Sequence, residues 1–189
     1  LIGRVRPRGG VTIDPEFGQK AKAFWPDEAC QPDYAGQVRH FQTLVRDLDQ
    51  QDMLPYMDHQ YGGRGTPMTL SYYLGGRVEF TDASVWCHPV VDRLEELDFA
   101  YDPDNAWWCH SQRLFETACA TLHDTALVAM PDFGDALTVL ANLRGPERLL
   151  YDIMDRRDEV KRLRDAFVAV WPKYHACWHR IYSQYYPGD

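Results

Sequence analysis

The stretch that decides the fold is Ala126-Leu127-Val128-Ala129-Met130-Pro131-Asp132-Phe133-Gly134-Asp135-Ala136-Leu137. Its apolar first part, residues 126–130, predicts a buried strand. The Pro/Gly turn that follows holds two carboxylates, Asp132 and Asp135, and an amphipathic segment begins directly after them. A strand that delivers acidic residues to a turn before a helix is typical of the active-site edge of an α/β domain. The pattern therefore predicts a candidate site at the carboxyl end of this strand.

The spacing of apolar residues predicts the elements on either side. Helices are predicted where these residues recur every three or four positions: residues 36–50, Ser111 to about His123, 135–142, 147–154, and a long helix to about Tyr185 that Asp155 caps. Strands or extended segments are predicted at Met53–Met57, Arg77–Phe80 and 126–130. Residues 83–109 are expected to mix short helix and loop, because Pro89, Pro103 and Asn105 interrupt them.

The segment from Thr66 to Leu74 has two interpretations. Pro67 suits the first turn of a helix, and Gly75 suits the left-handed residue after a helix end. The alternative is a hairpin that turns at Gly75–Gly76. We favour the helix.

Strands that alternate with helices at this spacing predict an α/β fold with a parallel sheet. A chain of 189 residues is expected to form a single domain, with residues 1–35, rich in Gly, Pro and charge, as an irregular segment. Only two or three strands are convincing. Either further extended segments are present, or the chain is part of a larger (β/α)8 TIM-type barrel that is helix-rich and has short parallel strands.

Composition excludes some classes of partner. The net charge of −8 argues against nucleic acid, whose backbone is bound by clustered Lys and Arg. No apolar run approaches the roughly 20 residues that span a bilayer, so no membrane partner is expected. The five cysteines are scattered and include no Cys-x-x-Cys pair. This usage predicts reduced thiols and a cytoplasmic protein.

A second set of polar residues follows the first predicted strand. Asp58 and His59 come directly after it, and Tyr61 and Arg64 lie in the Gly-rich loop beyond. A His in that position suits a general acid or a ligand, although a plain loop histidine is the alternative. The predicted catalytic residues are Asp132, Asp58 and His59. Tyr61 and Arg64 are predicted to bind the substrate beside them.

Three further side chains are candidates for substrate binding. Trp86 is expected to form a wall of the pocket. Asp135 is either a substrate ligand or the cap of the following helix. Arg144 either grips a substrate carboxylate or braces a buried acid such as Asp152, and the bracing role is favoured.

Histidine and cysteine lie together in three places without the spacing of a structural zinc site. In Cys87-His88 and Cys109-His110 the two residues are adjacent. In the run 175–179, His175 and His179 share one helical face while Cys177 points the other way. No metal ligand is therefore predicted within this chain.

Several motifs resemble the uroporphyrinogen decarboxylase superfamily, which includes the decarboxylases of haem synthesis and corrinoid-linked methyltransferases. They are the Leu-Gly-Gly helix end in Leu74–Phe80, the Val-Trp in Ser84–Trp86, the strand ending in Asp-x-Gly-x-x-x-x-Leu, and Leu143–Glu147. Together they extend over roughly residues 70–182. The Met-Arg-Gln-Ala-Gly-Arg segment of the decarboxylases does not occur, which favours the methyltransferase branch.

The resemblance implies a (β/α)8 barrel of which this chain would be the first half. It implies an enzyme that transfers a methyl group from a corrinoid, carried by a partner protein, to a thiol or related acceptor held by zinc. The zinc ligands would lie in the second half of the barrel. Asp132 and His59 would shape the substrate mouth. The alternatives are decarboxylation of a tetrapyrrole such as uroporphyrinogen, and a non-catalytic domain that binds a corrinoid protein.

Overall fold

The computed structural model describes residues 35–36, 38–39, 42, 56–58, 69–80, 85–130 and 132–187. Residues 35–36, 38–39 and 42 are helical, as the pattern over 36–50 predicts. The strands are β1 (Tyr56–Asp58), β2 (Arg77–Phe80), β3 (Val85–His88) and β4 (Leu127–Ala129). The helices after residue 68 are α1 (Thr69–Tyr73), α2 (Ala106–Leu122), α3 (Ala136–Arg144), α4 (Pro146–Asp155) and α5 (Arg157–Tyr185), with a 3-10 turn at Leu94–Glu96.

The two strands that precede the acidic loops pair with each other. β1 and β4 are parallel, and Tyr56 lies opposite Leu127 while Asp58 lies opposite Ala129. This confirms the predicted parallel pairing. The described part of the chain is a helix-rich α/β structure with a few short strands, and those strands do not close into a barrel.

A second, antiparallel pair corrects the prediction for residues 83–109. β2 pairs with β3, with Arg77 opposite His88 and Phe80 opposite Val85. A segment expected to be short helix and loop therefore begins as a strand. A four-residue strand is too short to show a clear alternation of apolar and polar residues.

Glycine ends the first helix and allows the hairpin to follow it. α1 confirms the favoured helix, and Gly75 takes the left-handed φ of 89° that was expected after its end. A Cβ on Gly76 would lie 2.6 Å from the Ser71 carbonyl oxygen, which accepts a hydrogen bond from the Gly76 N–H. Only glycine allows this close approach without moving the backbone.

Helix α2 begins at Ala106, not at Ser111 as predicted. The side chain of Asn105 accepts a hydrogen bond from the Trp108 N–H at 3.0 Å and so caps the first turn. Asn105 also donates its amide to the Tyr72 carbonyl at 3.3 Å, which joins α2 to the end of α1. A residue that was interpreted as a breaker is thus the N-cap.

Three helices follow β4 with little chain between them. Gly145 has a φ of 95° and separates α3 from α4, and Pro146 occupies the first turn of α4. The prediction that Asp155 caps the last helix is wrong, because Asp155 ends α4 and Arg156 lies at the cap position without a capping side-chain bond. Although α5 has 29 residues, no helix in the described ranges is long and apolar enough to cross a bilayer.

The centre of the core is an aromatic cluster between α2 and α5. Trp108 packs edge-on against Tyr174 and Trp178, with ring centroids 4.9 and 5.1 Å apart. Phe115 adds a contact to Trp178 at 4.7 Å. Trp108, Tyr174 and Trp178 are fully buried. Rings at these distances and angles gain electrostatic attraction beyond the area that they remove from water.

A buried ion pair joins α3 to α4. The Arg144 Nε donates to Asp152 Oδ2 at 2.8 Å, and both side chains are almost wholly buried. This is the bracing role that was favoured for Arg144. Each charge is held inside the protein only by the other, so losing one partner leaves the second without compensation.

We predict that Arg144→Met lowers the free energy of unfolding by about 3 kcal/mol, because it leaves the Asp152 carboxylate buried and unpaired. Urea denaturation followed by circular dichroism measures the loss. The double variant Arg144→Met/Asp152→Leu should lose less than Arg144→Met alone. Arg148→Met is the matched control: Arg148 pairs with Asp92 at the exposed surface, and it should cost about 0.5 kcal/mol. Equal losses for the two arginines would contradict the prediction.

We predict a loss of stability on acidification that His110 causes. Burial and the nearby Arg113 guanidinium lower the pKa of His110 to about 4. The unfolded chain takes up a proton at this histidine near pH 6.5. The contribution of His110 to the free energy of unfolding is therefore complete above that pH. It decreases by about 3 kcal/mol as the pH falls towards 4. Urea titrations between pH 4 and 7 should show that His110→Gln has a flatter pH dependence than the parent. The matched control is His123→Gln, which changes an exposed histidine, and a flattening in this variant as large as that in His110→Gln would contradict the prediction.

Candidate functional site

The loop after β4 is held by one buried aromatic residue. Phe133 packs edge-on against Tyr73 at 6.5 Å and against Trp171 at 5.6 Å. Its neighbours Asp132 and Asp135 are exposed. A buried residue between exposed carboxylates gives the loop a fixed position while both acids face solvent.

Asp132 has one carboxylate oxygen available. Its Oδ1 accepts a hydrogen bond from the Gly134 N–H at 2.8 Å, and Gly134 has a φ of 72°. This tight turn orients the side chain. The other oxygen, Oδ2, accepts no hydrogen bond from the residues that the structure describes. Asp132 can therefore accept a hydrogen bond or a proton from a ligand without giving up its own anchor.

Asp135 uses both carboxylate oxygens to cap α3. Oδ1 accepts from the N–H groups of Leu137 and Thr138 at 2.8 and 3.0 Å, and Oδ2 accepts from the Thr138 hydroxyl at 2.8 Å. These bonds, that from the Thr138 N–H first among them, lower the pKa of Asp135 below its usual value. The structure thus places Asp135 in the capping role, which was the alternative to substrate binding.

The first strand ends at the same edge of the sheet as β4. Asp58 is the last residue of β1 and lies opposite Ala129, three residues before Asp132. Because the pair is parallel, the carboxyl ends of both strands lie at the same edge of the sheet. The backbone of Asp58 therefore lies where the prediction requires it. His59, Tyr61 and Arg64 lie outside the described residues, and their roles remain predictions.

The other two candidates, Arg144 and Trp86, lie on α3 and β3. Arg144 is at the far end of α3, and a helix of nine residues separates it from Asp135 by about 13 Å. Its side chain is buried against Asp152. Trp86 is on β3 and is 60% exposed, so its ring is open to solvent. The structure therefore does not bring Arg144 to Asp132.

The two Cys-His pairs have separate surroundings. Burial raises the pKa of the Cys87 thiol to about 11, and its neighbour His88 points to the other face of β3. Cys109 donates to the Pro103 carbonyl at 3.3 Å, while His110 is buried in the core.

The histidines and the cysteine near the end of α5 also contact different neighbours. His175 stacks on Trp171 at 4.8 Å, and the Cys177 sulfur lies 3.7 Å from the Tyr101 hydroxyl. His179 lies beside Ser183. Within the described ranges, no three His, Cys, Asp or Glu side chains form a group that could hold a metal ion.

Sequence reasoning missed the residues that position the loop. Phe133, Tyr73 and Trp171 come from three elements, and no sequence spacing connects them. One available signal was the apolar Phe133 between two acids, since a large apolar residue in a polar turn is most often buried. A second available signal was Asn105, because Asn before an apolar run is a helix-start signal.

Comparisons of the chain with protein-family models, with characterised proteins and with solved structures found no match.

We predict that Asp135→Ala lowers the free energy of unfolding by about 1 kcal/mol at pH 7, because α3 loses its cap. The lowered pKa means that the carboxylate stabilises the fold above about pH 4, and that this contribution is lost as the pH falls through the folded-state pKa. The gap between parent and variant in urea denaturation should therefore narrow at pH 3. Asp132→Ala is the control in the same loop and should lose less. A gap that stays constant down to pH 3 would argue against the ionised cap.

Proposed function

We propose that this chain forms part of a (β/α)8 barrel of the uroporphyrinogen decarboxylase superfamily, and that the whole protein is a cytoplasmic enzyme of corrinoid-linked methyl transfer. The observation that carries the proposal is the parallel pairing of β1 with β4. It supports a barrel edge because Asp58 and Ala129, which lies three residues before Asp132, end neighbouring parallel strands. Active sites of barrel enzymes are built from the loops at this end of the strands.

In this proposal Asp132 contacts the substrate and Asp135 positions the loop. The free Oδ2 of Asp132 accepts a hydrogen bond from a substrate N–H or O–H group, or holds a proton that the reaction releases. Asp135 keeps α3 in place through its hydrogen bonds to Leu137 and Thr138. Phe133, packed against Tyr73 and Trp171, anchors the loop that carries both acids. His59, beyond β1, would face the same mouth.

The resemblance implies a zinc ion and a corrinoid carried by a partner protein. Because no described group of side chains fits a metal ion, we assign no zinc chemistry to this part of the chain. When bound, a corrinoid on a partner would supply the methyl group, and zinc would keep an acceptor thiol as thiolate. The residues described here would bind and orient the acceptor.

We predict that the full natural protein transfers the methyl group of methylcobalamin to a small thiol such as coenzyme M. Visible absorbance of the corrinoid follows the reaction. Asp132→Asn should lower kcat/KM by about 100-fold, because an amide can neither accept the proton nor carry the charge. Asp135→Asn, which keeps the capping oxygen, should leave kcat/KM near the parent value.

Three outcomes would contradict this assignment. Release of carbon dioxide from uroporphyrinogen, seen by mass, would indicate the decarboxylase branch. A spectral change on mixing with the corrinoid but no turnover would indicate a non-catalytic binding domain. Full activity in Asp132→Asn would remove Asp132 from the site.

A further inference from the structure

We propose that a groove between α2 and α5 is a second binding site, for a small molecule that carries one carboxylate. The groove has a volume of about 340 Å³, which is within the range of ligand pockets. α2 contributes Gln112 and Arg113 to its lining, and α5 contributes Arg180 and Gln184. None of the residues of the loop at 132–135 lines it, so this site is separate from the proposed active-site edge.

The two arginines of the groove differ from most others in the helical layer because they have no carboxylate partner. The arginines that pair with Asp or Glu are Arg93, Arg144, Arg148, Arg156, Arg162 and Arg164. Within the described ranges, Arg113 and Arg180 form no ion pair; Arg157 of α5 forms none either, but it does not line the groove. The chain as a whole has a net charge of −8, whereas two unpaired guanidinium groups bring positive charge to this groove.

The residue types determine the ligand class. Guanidinium groups bind carboxylates through two parallel hydrogen bonds, and the amides of Gln112 and Gln184 add further donors. Glu116 also lines the groove. Two positive charges and one negative charge leave a net charge of +1, which favours a monoanion over a dianion such as phosphate. Glu116 then accepts a hydrogen bond from a hydroxyl or ammonium group on the same ligand.

Cys109 provides a reporter within the groove. Its side chain lines the groove one helical turn before Arg113, and its thiol donates a hydrogen bond to the Pro103 carbonyl at 3.3 Å. Iodoacetate and iodoacetamide alkylate a thiolate by the same step: sulfur bonds to the methylene carbon, iodide leaves, and the thiol proton goes to solvent. The reagents differ chiefly in the carboxylate of iodoacetate. The ratio of their rates therefore reports whether the groove attracts a carboxylate.

The experiment measures both rates at Cys109 by peptide mass spectrometry, with 2-mercaptoethanol as the free-thiol reference. We expect the iodoacetate/iodoacetamide ratio at Cys109 to exceed the reference ratio by about five-fold at low salt and to fall as salt is added. Arg113→Gln and Arg180→Gln should each reduce the excess. Arg113→Lys, which keeps the charge without the paired donors, should retain only part of it. Arg157→Gln is the matched control, an exposed arginine of α5 outside the groove, and should not change it.

A second arm tests the ligand class without relying on the thiol. Propionate should shift the side-chain amide NMR signals of Gln112 and Gln184, and phosphate at equal ionic strength should shift them less. Equal shifts with both anions would overturn the carboxylate assignment. A ratio at Cys109 equal to the reference, or one that the arginine variants leave unchanged, would overturn the site.

Discussion

The aromatic packing between α2 and α5 extends through Tyr73 on α1 to the loop that carries the candidate residues. Trp108 is the central residue, because it contacts Tyr174 and Trp178 on α5 and Tyr73 on α1. Its indole N–H donates to the Tyr101 hydroxyl at 3.2 Å, so the polar atom of this buried ring is satisfied. Large rigid rings bury much area at low cost in side-chain entropy, and their edge-to-face geometry restricts how the helices can cross.

This packing reaches the sheet edge through a short series of contacts. Tyr73 contacts both Trp108 and Phe133, so the aromatic core extends directly into the loop after β4. At the other end of α5, the Tyr186 hydroxyl donates to the Ala126 carbonyl at 2.8 Å, just before β4 begins. The strand is therefore held at both ends by contacts to the helical layer, and only three residue pairs join it to β1. The position of Asp132 is set mainly by the helices.

Local signals predicted the elements that depend on near neighbours in the chain. The strand at residues 126–130, the cap at Asp135 and the pairing of Arg144 with Asp152 follow from residues within ten positions of each other, where spacing determines geometry. The prediction failed at α2 and β3. Trp107-Trp108-Cys109-His110 is apolar on several sides of the helix, so no period marked its first turn, and β3 is too short to show alternation. For His59, Tyr61 and Arg64 the prediction has not been tested.

The sequence by itself determined a helix-rich α/β chain, parallel strands with an acidic residue at or just beyond their carboxyl ends, and the turn in which Gly75 is required. Only the tertiary structure decided which carboxylate is available and which face of each helix is inside. In α4 the apolar Leu150 and Met154 are 64% and 79% exposed, whereas Asp152 is buried. Periodicity alone would place Leu150 and Met154 inside beside Leu149, which is buried. The free energy of burial depends on what lies opposite a face, and for α4 that is the Arg144 guanidinium.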